Sequence, residues 1–150
     1  MKTLILGLGN PILGDDSVGL KVAEIVRQRI TPDPSIEVSE DYWGGLRLME
    51  RMIGYDEVII IDAVCTGAHL PGSILYLEPD DIPTQHTASA HDINLPTALQ
   101  LAAAMNLKMP KQIRVIAIEA ENVLDFSEQC SPAVTQALPR AADAVLAELP

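Results

Sequence analysis

Three residues of metal-binding type are spread along this chain. Asp16 follows the first apolar segment, Asp62 lies near the end of a second one, and His91 lies in a polar segment before a predicted helix. Two carboxylates and one imidazole suit a borderline divalent ion and leave coordination positions open for water or substrate. A structural zinc site would be closed and usually richer in sulfur. The residue types therefore favour an open metal site, although no fixed spacing motif supports it.

Each of the three residues also has a purely structural interpretation. Asp16 could cap the helix that follows, Asp62 could be a turn residue, and His91 could be a solvated surface histidine. The site hypothesis rests on convergence, because ligands of open α/β sheets bind outside the carboxyl ends of the strands, where we expect all three side chains. The other histidines, His69 and His86, are predicted in surface loops.

The apolar pattern predicts alternating strands and helices. Strands are predicted at 3–8, 36–39, 57–64, 73–78 and 113–119, of which 57–64 has four consecutive β-branched residues and 73–78 could pair antiparallel. Helices are predicted from an N-cap at Asp15 or Asp16 to Ile30, and at 46–53, 95–105 and 131–149. We therefore expect one α/β domain over residues 1–150, a three-layer fold with a mainly parallel twisted sheet and helices on both faces.

The charge balance is strongly acidic. The 150 residues include 21 Asp and Glu against 10 Lys and Arg, which gives a net charge of −11. Such a field repels phosphate backbones, so nucleic acid is a poor candidate partner. No stretch approaches the roughly 20 apolar residues of a membrane span, and the first apolar run is too short for a signal-peptide core. We expect a soluble, cytoplasmic protein with no membrane partner.

The two cysteines, Cys65 and Cys130, fit neither a disulfide framework nor a CxxC metal site. No basic residue adjoins either thiol in sequence, so nothing local is present to lower its pKa. We therefore expect both to be small, buried or half-buried apolar residues rather than nucleophiles.

The loop after the first strand starts like two known motifs. It reads GLGNPI from residue 7, but Ile12 stands where the GxGxxG dinucleotide fingerprint has its third glycine. The segment also resembles the start of bacterial peptidyl-tRNA hydrolase, whose family continues toward a Thr-Arg-His-Asn motif with the catalytic histidine. Here no histidine occurs before His69, and the acidic charge disfavours tRNA. We expect Gly9 and Gly14 to be needed for the backbone conformation of this loop, either because φ is positive or because another backbone segment approaches closely.

Several motifs along almost the whole chain resemble the peptidase family that matures NiFe-hydrogenase large subunits. They are GLGNPILGDDSVG at 7–19, IDA at 61–63, PGS at 71–73, DDI at 80–82 and SAHDINL at 89–95. The resemblance implies an endopeptidase that removes the C-terminal extension of a nickel-loaded precursor, with Asp16, Asp62 and His91 as ligands of that nickel. Zinc or cadmium could occupy the same site. Some relatives have glutamate where Asp16 stands. The aspartate keeps the carboxylate but has a shorter side chain.

The chain departs from this family after the second strand. Members often carry an Asp-Gly-Gly-Thr turn there, whereas this chain reads SEDYWGG from residue 39. Glu40 aligns with the family's aspartate, and the sequence leaves open whether Glu40 or Asp41 has a role. Tyr42 and Trp43 could form an apolar lip for a protein partner or anchor the second helix to the core.

The catalytic residues are not evident from the sequence. No Ser/His/Asp or Cys/His pairing can be placed, so a carboxylate such as Asp15 or Asp16 could be the base, and a bound metal could polarise the scissile carbonyl or activate water. Two other functions stay open. One is a peptidyl-tRNA-hydrolase-like or other small-substrate hydrolase of similar fold, and the other is a non-catalytic chaperone that senses nickel.

Overall fold

The structure is a computed structural model that describes residues 1–42, 45–81 and 95–150. Its strands are β1 (Thr3–Leu8), β2 (Ile36–Asp41), β3 (Glu57–Val64), β4 (Ile74–Leu77) and β5 (Gln112–Glu119). Its helices are α1 (Val18–Arg29), α2 (Gly45–Met52), α3 (Leu95–Ala104) and α4 (Pro132–Ala147). Short 3-10 turns lie at Gly14–Ser17 and Pro79–Asp81. The predicted strands and helices are therefore confirmed, with ends that differ by a few residues.

The five strands form one sheet in the order β2-β1-β3-β5-β4. All neighbours are parallel except β4, which pairs antiparallel with β5. The mainly parallel sheet and its antiparallel strand agree with the sequence prediction. Since β2, β1, β3 and β5 run in the same direction, their carboxyl ends share one edge of the sheet, which we call the carboxyl edge.

Helices cover both faces of the sheet, which confirms the predicted three-layer α/β fold. Ile5, Ile59 and Ile116 face α1 and α4 and belong to one buried cluster. The alternate residues of the same strands, among them Leu4 and Ile60, belong to a second cluster with Leu48 of α2 and Leu95 of α3. The central strands are thus buried on both faces, as their continuous apolar sequences predict. Within the described ranges, no helix is long and apolar enough to cross a membrane.

The prediction that Asp15 or Asp16 caps α1 is wrong. The helix begins at Val18, and its N-cap residue is Ser17, whose side chain makes no capping hydrogen bond. The Ser17 hydroxyl instead donates to the carbonyl oxygen of Gly14 at 2.7 Å. Both aspartates lie before the helix, in the 3-10 turn, and their carboxylates accept hydrogen bonds from other residues, Asp16 from the Asn10 amide and Asp15 from the Glu121 amide.

Candidate functional site

Asp16 lies at the carboxyl edge, in the 3-10 turn between β1 and α1. Its half-buried carboxylate accepts a hydrogen bond from the Asn10 amide at 3.0 Å, which orients the side chain across its own loop. The turn packs closely on the end of β1, since a Cβ at Gly9 would lie 2.0 Å from the Asp16 carbonyl oxygen. Gly9 has a φ of 152° and Gly14 a φ of 56°. The predicted backbone role of these two glycines is thereby confirmed.

Asp62 lies near the carboxyl end of the central strand β3. Its half-buried carboxylate accepts a hydrogen bond from the amide of Ala63 at 2.8 Å. The start of α1 contacts the same edge, because a Cβ at Gly19 would lie 2.3 Å from the carbonyl oxygens of both Leu8 and Ile61. This approach holds the turn that carries Asp16 over the ends of β1 and β3. Two of the three predicted ligands therefore lie at one edge of the sheet.

The third predicted ligand, His91, lies outside the described residues, as does His86. His69 is exposed, which agrees with the expectation of a surface position. Within 1–42, 45–81 and 95–150, no three His, Cys, Asp or Glu residues form a group that could hold a metal ion. Any three-ligand site with Asp16 and Asp62 therefore needs a ligand from the rest of the chain or from a substrate.

Asp15 has a structural role that the sequence did not reveal. It is fully buried. Its carboxylate accepts hydrogen bonds from the amides of Glu121 at 2.8 Å and Asn122 at 3.0 Å, and from the amide and hydroxyl of Ser131 at 2.6 and 2.9 Å. Asp15 thus ties the turn after β1 to the segment between β5 and α4. A carboxylate that already accepts four hydrogen bonds has its acceptor sites occupied, so Asp15 is poorly suited to be the catalytic base that the sequence left open.

Glu119, at the end of β5, is a second buried carboxylate that the sequence analysis missed. It is 2% exposed, and its carboxylate accepts hydrogen bonds from the backbone amide and the hydroxyl of Thr66. The hydrogen bond from the Thr66 amide is 2.9 Å long. These bonds hold the loop after β3 against the neighbouring strand. The available signal was an acidic residue at the end of an apolar strand, the same pattern that singled out Asp62.

The two acidic residues at the end of β2 face different surroundings. Glu40 forms an ion pair with Arg27 of α1, with 2.8 Å between Oε1 and Nη2. The next residue, Asp41, accepts a hydrogen bond from the Tyr42 amide at 2.8 Å, and its carbonyl accepts one from the Gly9 amide at 3.2 Å. Asp41 therefore adjoins the loop that leads to Asp16, whereas Glu40 is engaged on the α1 face.

Tyr42 does not anchor α2 to the core, because it is 65% exposed. The predicted anchoring role is therefore wrong for Tyr42. Its exposed ring is compatible with the other prediction, an apolar lip that binds a protein partner. Trp43, the other residue of the predicted lip, lies outside the described residues.

Both cysteines are half-buried, as expected. Burial raises the pKa of the Cys65 thiol, and the negative charges of Glu119, Asp16, Asp15 and Asp62 raise it further. Burial also raises the pKa of the Cys130 thiol, although the Ser17 hydroxyl and the Lys21 ammonium partly oppose that shift. Neither thiol has the lowered pKa of a catalytic nucleophile.

We expect both thiols to react slowly with iodoacetamide. Because a raised pKa leaves less thiolate at about pH 8, each thiol of the folded protein should be alkylated more slowly than the same thiol in the unfolded chain. Mass spectrometry of timed samples measures the rate at each cysteine, and protein in urea gives the unfolded reference. A folded-state rate equal to that of the unfolded chain would contradict the inferred environments.

Comparison with known proteins decides the family. The sequence model described as "Hydrogenase maturation protease" matches residues 20–148. The chain belongs to the hydrogenase maturation protease family. It is 28% identical over 151 residues to hydrogenase 2 maturation protease of Escherichia coli (strain K12), a match that covers 99% of this chain and 91% of that protein. This membership confirms the sequence resemblance and makes the chain a member of a family of peptidases.

Solved structures agree with the family. The hydrogenase maturating endopeptidase HybD from E. coli superposes with a TM-score of 0.83 at 26% identity, over 98% of this chain and 91% of that one. The maturation protease HybD from Thermococcus kodakarensis has a TM-score of 0.70 at 24% identity, with 98% of both chains covered. The second likeness shows that the fold is shared beyond clear sequence similarity.

Proposed function

We propose that this maturation protease removes the C-terminal extension of a NiFe-hydrogenase large-subunit precursor. We further propose that Asp16, Asp62 and His91 recognise the nickel that the precursor carries. The observation that carries the proposal is the placement of Asp16 and Asp62 at the carboxyl edge, in a chain whose family is that of hydrogenase maturation proteases. In this account nickel is part of the substrate, and coordination is how the enzyme recognises it.

The arrangement of charge supports binding of a divalent ion. Asp16 and Asp62 are half-buried, and each has its carboxylate oriented by a backbone amide. Buried Asp15 is the neighbour of Asp16 in the same turn, and buried Glu119 pairs with Val64, two residues beyond Asp62. Carboxylates gathered at a partly desolvated edge attract a cation more strongly than the same groups in bulk water.

His91 enters the proposal from the sequence. It stands in the SAHDINL motif at 89–95, and the resemblance of that motif to the family implies that this histidine is the third ligand beside Asp16 and Asp62. The residue lies outside the described ranges, so substitution tests its contribution.

We propose that water, rather than a cysteine thiol, attacks the scissile carbonyl. Both thiols have raised pKa values, and Asp15 is fully engaged in structural hydrogen bonds. Coordination by Asp16, Asp62 and His91 would hold the precursor's nickel site at the carboxyl edge and orient the scissile bond beside it. The same ion can polarise a carbonyl or activate water as a Lewis acid.

Without precursor, we expect weak and pH-dependent binding of Ni²⁺. Three ligands leave positions to water, and the imidazole must be neutral to coordinate. Because imidazole ordinarily titrates at roughly pH 6.5, lowering the pH from 7.5 to 5.5 should weaken binding at least about tenfold. Isothermal titration calorimetry measures the affinity, with His69→Ala as the matched histidine control. Tight binding that survives both acid and His91→Ala would place the metal elsewhere.

Intact-mass analysis of the reaction tests the proposed activity. Purified nickel-loaded large-subunit precursor of the source organism is incubated with the protein, and the masses of all products are measured. The proposal predicts two products, a shortened large subunit and a single C-terminal peptide, whose masses add up to the precursor plus one water. A stable complex with an uncut precursor would instead support a nickel-sensing chaperone and contradict the proposed endopeptidase.

A further inference from the structure

The most exposed large apolar side chains of the described residues lie at the carboxyl edge. Leu70 is 82% exposed, Leu124 84% and Phe126 82%. They lie on the loops that follow β3 and β5. Phe126 is the single phenylalanine of the chain. A protein with few aromatic residues that holds its one phenylalanine in solvent forgoes a large apolar contribution to its core.

The loop that carries Leu124 and Phe126 is held in place by hydrogen bonds. The Asn122 side chain accepts bonds from the amides of Leu124 at 3.0 Å and Asp125 at 3.1 Å. The Ser127 amide donates to the Ile12 carbonyl at 2.9 Å, and the carboxylate of Asp15 binds the start of the loop at Glu121 and Asn122. The two apolar side chains are therefore presented on a fixed backbone, which lowers the entropy cost of binding a partner.

A third exposed apolar residue, Ile12, is joined to this loop through the backbone. Ile12 is 47% exposed, and its carbonyl bonds the residue that follows Phe126. We call Ile12, Leu124 and Phe126 the apolar ridge. Ile12 lies four residues before Asp16 on the same loop, and Asp15 links that loop to the other two ridge residues. The ridge is thus attached to the backbone that carries the proposed nickel ligand.

Acidic residues border the ridge. Glu121, Asp125 and Glu128 lie on the same segment and are exposed, and beside them lies a cation, Lys21, whose ammonium donates to the Glu128 carbonyl at 2.6 Å. The chain also has a net charge of −11. Two copies that met ridge to ridge would bring acidic borders together, and an anionic membrane surface would be repelled in the same way. The charges favour a different protein, with an apolar depression bordered by lysine or arginine.

We propose that the apolar ridge is the docking surface for the precursor, and that it binds an apolar depression with a basic border on that protein. This inference rests on the proposed function, since the partner is the substrate of the same site. Ridge contacts persist from the first complex through the transition state, so they contribute uniform binding. Their loss should therefore raise KM and leave kcat nearly unchanged.

The test replaces Leu124 and Phe126 together by serine. The matched control replaces Ile53 and Met105 by serine, two apolar residues that are 38% and 58% exposed and lie before β3 and β5, at the opposite edge of the sheet. The ridge variant should raise KM for the precursor at least about 30-fold and keep kcat within about threefold. The control should match the wild type in both constants, and Phe126→Trp should retain a low KM. Because the ridge side chains are exposed, the ridge variant should melt close to the wild type.

Binding to immobilised precursor separates failure of the ridge from failure of the proposed function. If the wild type cuts the precursor and the ridge variant has the same KM and Kd as the control variant, the docking proposal is wrong and the proposed function stands. If the wild type binds precursor through the ridge without cutting it, the activity is wrong and the docking surface stands. Sedimentation velocity measures the oligomeric state of both proteins. If the wild type is a dimer and the ridge variant is a monomer, the surface binds a second copy of this chain, which would overturn the proposal.

Discussion

Replacing His91 by alanine is expected to reduce processing of the nickel-loaded precursor at least about 100-fold. A lost ligand removes both recognition of the ion and orientation of the scissile bond. The residue stands in a polar segment of the sequence, so the free energy of unfolding should change by no more than about 0.5 kcal/mol. Initial rates of precursor cleavage and urea unfolding curves measure the two effects, and His69→Ala should match the wild type in both.

Asp62→Asn is the companion to that change. The asparagine keeps the shape and can still accept the hydrogen bond from the Ala63 amide, but it removes the negative charge that attracts the ion. The variant should therefore be folded and inactive. Cleavage by His91→Ala at the wild-type rate would exclude the histidine from the mechanism. Unfolding of His91→Ala would show instead that the histidine is a structural residue.

Asp15→Ala is expected to have the largest effect on stability of the changes considered, with a loss of about 3 kcal/mol or more in the free energy of unfolding. The carboxylate is fully buried, and its removal leaves two loop amides together with the amide and hydroxyl of Ser131 without their acceptor. Urea unfolding measures the loss. Glu121→Ala is the control, because this exposed acidic residue lies on the same loop.

Amide hydrogen exchange locates the effect of Asp15. Residues 121–131 should lose protection in Asp15→Ala more than the strands do, because the carboxylate joins this segment to the turn after β1. An alanine variant within about 0.5 kcal/mol of the wild type would mean that the four hydrogen bonds contribute no net stability, and the structural role assigned to Asp15 would be wrong.

The fold was largely predictable because the sequence patterns that indicate its strands and helices are local. Residues 3–8 and 57–64 form continuous apolar strands that only a sheet covered on both faces can bury, and the structure has both at the centre of the sheet. The position of Asp62 followed from the same pattern, since an acidic residue near the end of a buried strand reaches the carboxyl edge.

The role of Asp15 was not predictable, because its partners lie more than 100 residues away in the chain. Local pattern offered a helix cap for Asp15 or Asp16, and a cap is the usual role of an aspartate before a helix. In the structure the Asp15 carboxylate joins distant loops, the Asp16 carboxylate binds within its own loop, and Ser17 takes the N-cap position. Long-range hydrogen bonds of this kind leave no periodic signal in a sequence.

The apolar ridge was not predictable from the sequence, for a related reason. Leu124 and Phe126 are ordinary core residue types, and nothing in their immediate sequence marks them as exposed. Both side chains are exposed on a loop whose backbone is held by hydrogen bonds of Asn122 and Ser127, partners that sequence pattern does not predict. Sequence pattern favoured Tyr42 and Trp43 as the partner-binding lip, and of these the structure describes Tyr42, which is exposed.

The most direct test of the account compares cleavage of one precursor with and without nickel. The same purified large-subunit precursor is prepared in nickel-loaded and nickel-free forms, and intact-mass spectrometry follows release of the C-terminal peptide by the wild type and by Asp62→Asn. Coordination by Asp16, Asp62 and His91 predicts rapid release from the loaded form by the wild type alone, with the nickel-free form cut at least about 100-fold more slowly. Equal rates on both forms, or rapid cutting by Asp62→Asn, would contradict recognition of the substrate through its nickel.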